Sequence, residues 1–395
     1  MHEDSTTNLA AVNVLYNVGS KHERHDKTGM VHLFEHLMFE GSQNIPNFDQ
    51  PLQVAGGESN AFTNKDLTNY YEKLPAVNIE TALWLESDRM LQLDLAQGKV
   101  DIQKKVVIEE FRETCIEKPF GKAWHELGRM VYGDHPYRWP SIGDKIEHIE
   151  QAELIDLQFF YDQFYHPANS ILTIAGGVQS EQVFDLVEKW FGDIPAGNAN
   201  QQKTPSVTSK REFQKKDLSA KSGTDAIYMS FLMPERGHPD FYTVDFITDI
   251  LATGSSARLE HHLKIERELF TYIDAYITGE MDEGMVVVEA KLREGVSHEL
   301  AEEAIWSELN KVAQEPLKKE EHIKLLNKVE SSVVFGRTSQ HNISYNLAFY
   351  ELLGNAAEIN EEMMHYRAIS KEKIMQVARE LFSRENCSQL NYFQK

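Results

Sequence analysis

Cysteine, positive charge and long apolar runs are all scarce in this chain, and each scarcity excludes something. Only two cysteines, Cys115 and Cys387, occur in 395 residues, too few for a disulfide framework or a cysteine zinc site and in keeping with a reducing cytoplasm. Lys and Arg number 40 against 62 Asp and Glu, a formal net charge of −22, which argues against nucleic acid as a partner and leaves cationic peptides open. No apolar run approaches the length of a membrane span, so no membrane partner is expected, and no secretory leader is visible at the start. The chain opens almost at once on a strand, which leaves room for a natural N-terminal segment ahead of Met1 and, with it, for a periplasmic location beside the expected cytoplasmic one. What is present is otherwise ordinary: 41% hydrophobic and 26% charged residues suit a globular protein, long enough for two or more domains with their own cores.

The densest chemistry lies in His32-Leu33-Phe34-Glu35-His36-Leu37-Met38-Phe39-Glu40-Gly41. His32 and His36 are one helical turn apart and Glu35 follows His32 by three, so all three share one helix face. Two imidazoles at that spacing can close on one zinc ion, and a neighbouring carboxylate can accept a proton from water activated there. The order is H-x-x-E-H, the inverse of the commoner H-E-x-x-H zinc helix. Met30, Val31, Leu33, Phe34, Leu37, Met38 and Phe39 make the rest of the segment apolar nearly all round, which predicts burial. Ionisable side chains on a buried helix need partners, and a metal ion would supply them. The alternative is an amphipathic helix with two ordinary histidines.

Periodicity reads the first half as mixed α+β. A strand over 9–17 leads through a polar loop, 19–28, into the motif helix. A short helix near 48–55, strands at 59–63 and 68–74, and amphipathic helices over 77–94 and about 100–117 follow. A helix over 154–164, a buried strand at 170–175 and a helix at 180–191 complete it. Residues 198–216 are polar and read as a linker, so the expected division is a zinc-binding domain over 1–197 and a second domain over 217–395, restarting with a strand at 226–232. The restart looks like a repeat. Thr243-Val244-Asp245-Phe246-Ile247-Thr248-Asp249-Ile250-Leu251-Ala252-Thr253-Gly254 aligns with 30–41 in its apolar positions and final glycine. Asp245, Thr248 and Asp249 stand where His32, Glu35 and His36 stand, so the second half reads as a diverged copy without the metal site. Chance alignment of two buried helices is the alternative.

Two histidines and a water leave zinc one protein ligand short. Glu110 follows Val106 and Val107 by four and three residues, which puts it on the expected inward stripe of its helix, whereas Glu109 pairs with Lys105 on a solvated face. Glu113, one turn later, is the runner-up, and a surface role for Glu110 is the bland alternative. His125, His135 and His148 lie in more polar sequence and are weaker candidates.

At this point the chain resembles the M16 zinc metallopeptidases, the family of pitrilysin, insulinase and the mitochondrial processing peptidase, and in length a short bacterial-type member. The resemblance rests on the motif helix, Gly56-Gly57-Glu58-Ser59-Asn60-Ala61-Phe62-Thr63, Val106 to Glu110, His135-Pro136-Tyr137 with Ile142-Gly143, and Phe160-Tyr161 with Tyr165 to Asn169. It implies one zinc ion per chain on His32, His36 and Glu110, with Glu35 as general base. It also implies an α+β fold of two homologous domains, each a mostly antiparallel sheet with helices packed on it, the second inactive. Two positions depart from the family pattern. Gln103 stands where many relatives carry a Glu beside the ligands, and an Arg seven residues before Tyr272 is absent, Ile265 standing there with Lys264 and Arg267 nearby. Lys264 and Tyr272 are the substrate-contact candidates of the second half.

The expected reaction is zinc-assisted hydrolysis of unfolded peptides inside a closed chamber. Asn60-Ala61-Phe62 is read as a strand edge on which an extended peptide pairs through its backbone, with a turn role for Asn60 as the plain alternative. Relatives of this size pair, so a homodimer or a heterodimer with an M16 paralogue is expected. Two other classes compete: a non-catalytic or partner-dependent subunit, which has no need of the ligand set, and a zinc hydrolase of small molecules, which has no need of the strand edge.

Overall fold

The structure, a computed structural model, describes residues 1–198, 204–207 and 212–395. The first half runs β1 (His2–Glu3), β2 (Leu9–Tyr16), α1 (Met30–Leu37), α2 (Asp49–Val54), β3 (Glu58–Thr63), β4 (Thr68–Pro75), α3 (Ile79–Leu91), α4 (Gln97–Phe111), α5 (Ala123–Tyr132), α6 (Ile146–Glu150), α7 (Leu154–Phe164), β5 (Ser170–Gly176) and α8 (Ser180–Phe191). The second runs β6 (Gln214–Ala220), β7 (Ala226–Leu232), α9 (Phe241–Ala252), β8 (Phe270–Ile277), β9 (Met285–Leu292), α10 (His298–Gln314), α11 (Lys319–Gly336), α12 (Gln340–Leu352), α13 (Glu362–Arg367), α14 (Lys371–Leu381) and β10 (Cys387–Gln394).

Each half contributes one sheet of five strands, in the orders β1-β5-β2-β4-β3 and β6-β10-β7-β9-β8. Adding five to every strand of the first order produces the second, so the repeat read from two short helices extends to the whole sheet topology. In both sheets the outermost pair, β1 with β5 and β6 with β10, is parallel and the other pairings are antiparallel. The fold class is α+β, as expected. α9 also follows β7 as α1 follows β2, and Asp245 and His32 both lie on these corresponding helices.

Strand β2 is buried from Ala10 through Tyr16, so both of its faces need a covering layer. Val14 and Tyr16 pack with α1, α4 and α7, and Ala10 and Val12 with α3 and α8. The opposite face, where Leu15 meets Leu67 and Ala348, is covered by α12 from far along the chain. The second sheet is served in reverse: α5 lies on β7 and β10, with Leu127 and Tyr132 among Tyr228, Leu390 and Tyr392.

The compact units are therefore residues 1–111, 139–204 and 332–361, and residues 112–138, 205–331 and 362–395. Boundaries drawn at 197 and 217 from composition missed this exchange of one helix each way. The reason is physical: each repeat's consecutive helices cover one sheet face, and the face left over takes a helix from the other half. The expected linker, 198–216, lies partly outside the described residues, and its last three positions already belong to β6. α4 ends at Phe111 rather than near 117, and the chain continues as a π-helical turn, Arg112–Glu117.

Candidate metal centre

The motif helix α1 is held on three sides before any metal is considered. Leu33, Phe34 and Leu37 are fully buried, and the Phe34 ring stacks on Phe160 and Tyr165 at centroid distances of 5.3 and 5.2 Å. Those α7-end aromatics thus form the floor of the helix. At its start Gly29 has φ +87°, and a Cβ there would lie 2.9 Å from the Ile142 carbonyl oxygen, so only glycine fits. Glu23 accepts hydrogen bonds from the amides of Gly29 (3.0 Å) and Val31 (2.8 Å), satisfying donors that the helix itself leaves unpaired. Burial pushes the Glu23 carboxyl up to about 8, against the pull of these same backbone amides. The expected polar loop is solvated only in part: Ser20, Lys21, His22 and Glu23 are buried, while Arg24, His25 and Asp26 are exposed. An acid ahead of a helix start is the signal that the sequence carries for Glu23.

With its back fixed, α1 presents His32, Glu35 and His36 along its one half-exposed stripe. His32 Nε2 stands 3.1 Å from His36 Nε2, and Glu110 Oε2 of α4 lies 3.5 Å from each. Zinc held tetrahedrally by bonds of about 2.0–2.1 Å separates its ligand atoms by roughly 3.3–3.4 Å. The triangle matches that spacing, and its donor set, two imidazoles and one carboxylate, suits zinc. Burial, reinforced by the neighbouring His36, pushes the His32 imidazole down to about 4, so it offers a lone pair rather than a proton at neutral pH. Glu35 has no hydrogen bond or ion pair to any described residue, and its carboxylate is left for other work.

The third-ligand candidates separate clearly. Glu110 completes the triangle, while Glu113 is exposed on the π-helical turn and belongs to the second unit. The stripe that carries Glu110 differs from the expected one: Val106 is 44% exposed, and Val100, Val107, Ile108 and Phe111 are buried instead. His125 and His135 are buried in the second unit, and His148 is engaged by the Thr28 hydroxyl at 2.8 Å. Gln103, one heptad before Glu110, places Oε1 3.2 Å from His36 Nδ1 and donates through Nε2 to Glu40 Oε1 at 2.5 Å.

Asn60, Ala61 and Phe62 lie on β3, the last strand of its sheet, paired among the described residues with β4 alone. The Ala61 amide is taken by the Asn60 side chain at 2.8 Å rather than by β4. Lys264 and Tyr272 belong to the second unit, where Lys264 pairs with Glu260 at 2.8 Å and Tyr272 donates to Asp274 at 3.2 Å. A further cluster that the sequence reading missed, His261, His262 and Glu266, also gathers donor atoms within 4.8 Å of one another. There His262 is engaged by Glu308 at 2.9 Å and His261 faces Glu266 at 3.5 Å.

Fold and site together define a duplicated α+β protein with a His-His-Glu candidate metal centre between two helices, α1 and α4, of its first repeat. A family model described as insulinase, peptidase family M16, matches residues 1–123, and one described as the peptidase M16 inactive domain matches residues 153–329. The chain belongs to the M16 peptidase family. It is 26% identical to a zinc protease, PqqE, of Helicobacter pylori, covering 96% of this chain and 86% of that protein. It is 24% identical to an uncharacterized zinc protease, YmxG, of Bacillus subtilis, covering 98% and 93%. Among solved structures, a protease from Helicobacter pylori superposes with a TM-score of 0.92 at 24% identity, over 99% of this chain and 95% of that one. The periplasmic protease PqqL from Escherichia coli gives 0.80 at 16% identity, over 100% of this chain but 46% of that one. The match to the inactive-domain model begins after His32, Glu35, His36 and Glu110 and takes in Asp245, Thr248 and Asp249.

Proposed function

We propose that this chain is a zinc-dependent endopeptidase acting on unfolded peptides, with His32, His36 and Glu110 as metal ligands and Glu35 as general base. The observation that carries the proposal is the ligand triangle beside a carboxylate that no described residue engages. A zinc ion bound there would act as a Lewis acid toward the scissile carbonyl and lower the pKa of water at the site. His32 and His36 supply neutral nitrogen donors, and Glu110 supplies one negative charge. Glu35, on the same helix face, takes the proton from the attacking water and returns it to the departing amine. The free side of β3 offers backbone groups at Asn60 to Phe62 to an extended peptide, which makes recognition tolerant of sequence.

Pairing with a second copy or with an M16 paralogue is part of the proposal. Its support is that this chain spans 46% of the PqqL chain that shares its fold. A partner-dependent or non-catalytic subunit is the second reading, favoured by the inactive-domain match over residues 153–329. That match lies outside the triangle, which is why the catalytic reading is preferred.

The test measures zinc content of the purified protein and cleavage of a quenched fluorescent peptide library by wild type and Glu35→Gln. Wild type should carry zinc and cleave; Glu35→Gln should keep the zinc and lose about 10²–10⁴-fold in rate. Zinc without cleavage, alone or with a co-purified partner, would defeat the peptidase assignment, and absence of zinc would favour the subunit reading.

A further inference from the structure

Gln103 stands between a candidate metal ligand and a carboxylate. Its Oε1 lies 3.2 Å from His36 Nδ1, its Nε2 donates to Glu40 Oε1 at 2.5 Å, and both Gln103 and Glu40 are half-buried. A primary amide has one accepting end and one donating end, while an ionised carboxylate only accepts. Glu40 therefore claims the amide NH2, and the amide oxygen is left facing the imidazole. That imidazole must then offer Nδ1–H, which leaves the lone pair on Nε2, the atom that points into the triangle with His32 and Glu110.

Glu40 is itself fixed. It lies in the turn between α1 and Gly41, whose φ of +95° and whose 2.4 Å approach of a hypothetical Cβ to the Ile45 carbonyl oxygen exclude other residues. Its backbone carbonyl accepts from Lys99 Nζ of α4 at 2.7 Å. The turn that ends the motif helix is thus tied to the helix that carries Gln103 and Glu110.

We infer that Glu40 is a positioning residue for the metal centre, setting the orientation of the Gln103 amide and through it the tautomer of His36. This rests on the zinc reading of the triangle given above. A neutral amide contacts the histidine in this chain, and the negative charge sits one hydrogen bond farther out. Positions 40 and 103 are then coupled and tolerate one acid between them. A second carboxylate at 103 would meet Glu40 at hydrogen-bond distance with no proton to share, and the two would repel.

The experiment compares zinc dissociation constants, by competition with a chromophoric chelator, for wild type, Glu40→Ala, Gln103→Glu and the exchanged pair Glu40→Gln/Gln103→Glu. Melting temperatures of the metal-free proteins are measured alongside. Each single variant should weaken zinc by about 10–100-fold while the metal-free melting temperature stays close to wild type. The exchanged pair should recover to within about twofold of wild type. In it the amide introduced at position 40 would donate to the carboxylate introduced at position 103, and that carboxylate would accept from His36. Unchanged affinity in both single variants would overturn the inference, as would an exchanged pair no better than Gln103→Glu. A fall in metal-free stability that accounts for the affinity loss would reduce Glu40 to a structural role and overturn it too. If wild type itself binds no zinc, the zinc reading falls first and the inference falls with it, a result separate from the other three.

Discussion

Tyr366 donates its hydroxyl to Asp245, the residue that stands in the second repeat where His32 stands in the first. Burial raises the Asp245 carboxyl above the usual range, and Asp249, the counterpart of His36, is occupied by the Thr253 hydroxyl at 2.6 Å and by Lys328 at 3.5 Å. The helix of the second repeat has thus replaced a ligand set by ordinary hydrogen bonding.

Zinc stoichiometry follows from that contrast. Elemental analysis of the purified protein should find about one zinc per chain, the single tetrahedral site that the triangle can form. Asp245→Asn should leave the ratio unchanged, and His36→Ala should abolish it. A second equivalent lost in Asp245→Asn would contradict the assignment.

Acid sensitivity of the metal-free protein should report His32. Its pKa falls from the ordinary 6.5 to about 4 on folding, through burial and then the neighbouring His36. Between those values the unfolded chain binds more protons than the folded one, so stability is full above about 6.5 and is lost as pH falls toward 4. Urea denaturation across that window, compared with His32→Gln, isolates the contribution, and a wild-type minus variant difference that does not change with pH would refute it.

Removal of a buried counter-charge should be severe at Arg89. The guanidinium is fully buried between Glu86, whose Oε2 accepts from Nε at 2.9 Å, and Glu72 at 3.4 Å, and it lies over the Phe48 and Tyr70 rings at 4.3 and 4.5 Å. Burial, and then the Glu86 charge, already hold the Glu72 carboxyl well above its usual range. Arg89→Ala should destabilise the first unit by about 3–5 kcal/mol, since it strands two buried carboxyls; a loss under about 1 kcal/mol in chemical denaturation would show that water or repacking compensates.

Peptide pairing on β3 should depend on the Ala61 amide, which the Asn60 side chain holds at 2.8 Å away from the ladder with β4. Ala61→Pro removes that donor without removing a ladder bond. KM for peptide cleavage should rise several-fold with zinc content and melting temperature preserved; unchanged KM would remove the strand edge from the substrate site.

Much of the secondary structure was legible locally. The helices Leu154–Phe164 and Ser180–Phe191 and the strand Ala226–Leu232 have the bounds that periodicity predicts. The stripe His32, Glu35, His36 emerges from a buried helix because spacing along one helix is a local property. The helical spacing that brings Glu110 toward α1 is local too, although Val106, expected beside it on the inward stripe, is exposed.

What the sequence by itself determined was the set of elements, the stripe of His32, Glu35 and His36 and the existence of a repeat, since all three are encoded in periods of two and 3.6 residues. Only the tertiary structure decided which helix covers which sheet face, so the exchange of α5 and α12 between units could not be read from composition. It also decided the company of His36. The Gln103 contact joins residues 67 apart in the chain and the Gln103–Glu40 bond residues 63 apart. A hydrogen bond carries no periodicity: its donor and acceptor meet because packing has fixed two helices, and the chain between them leaves no trace of the meeting.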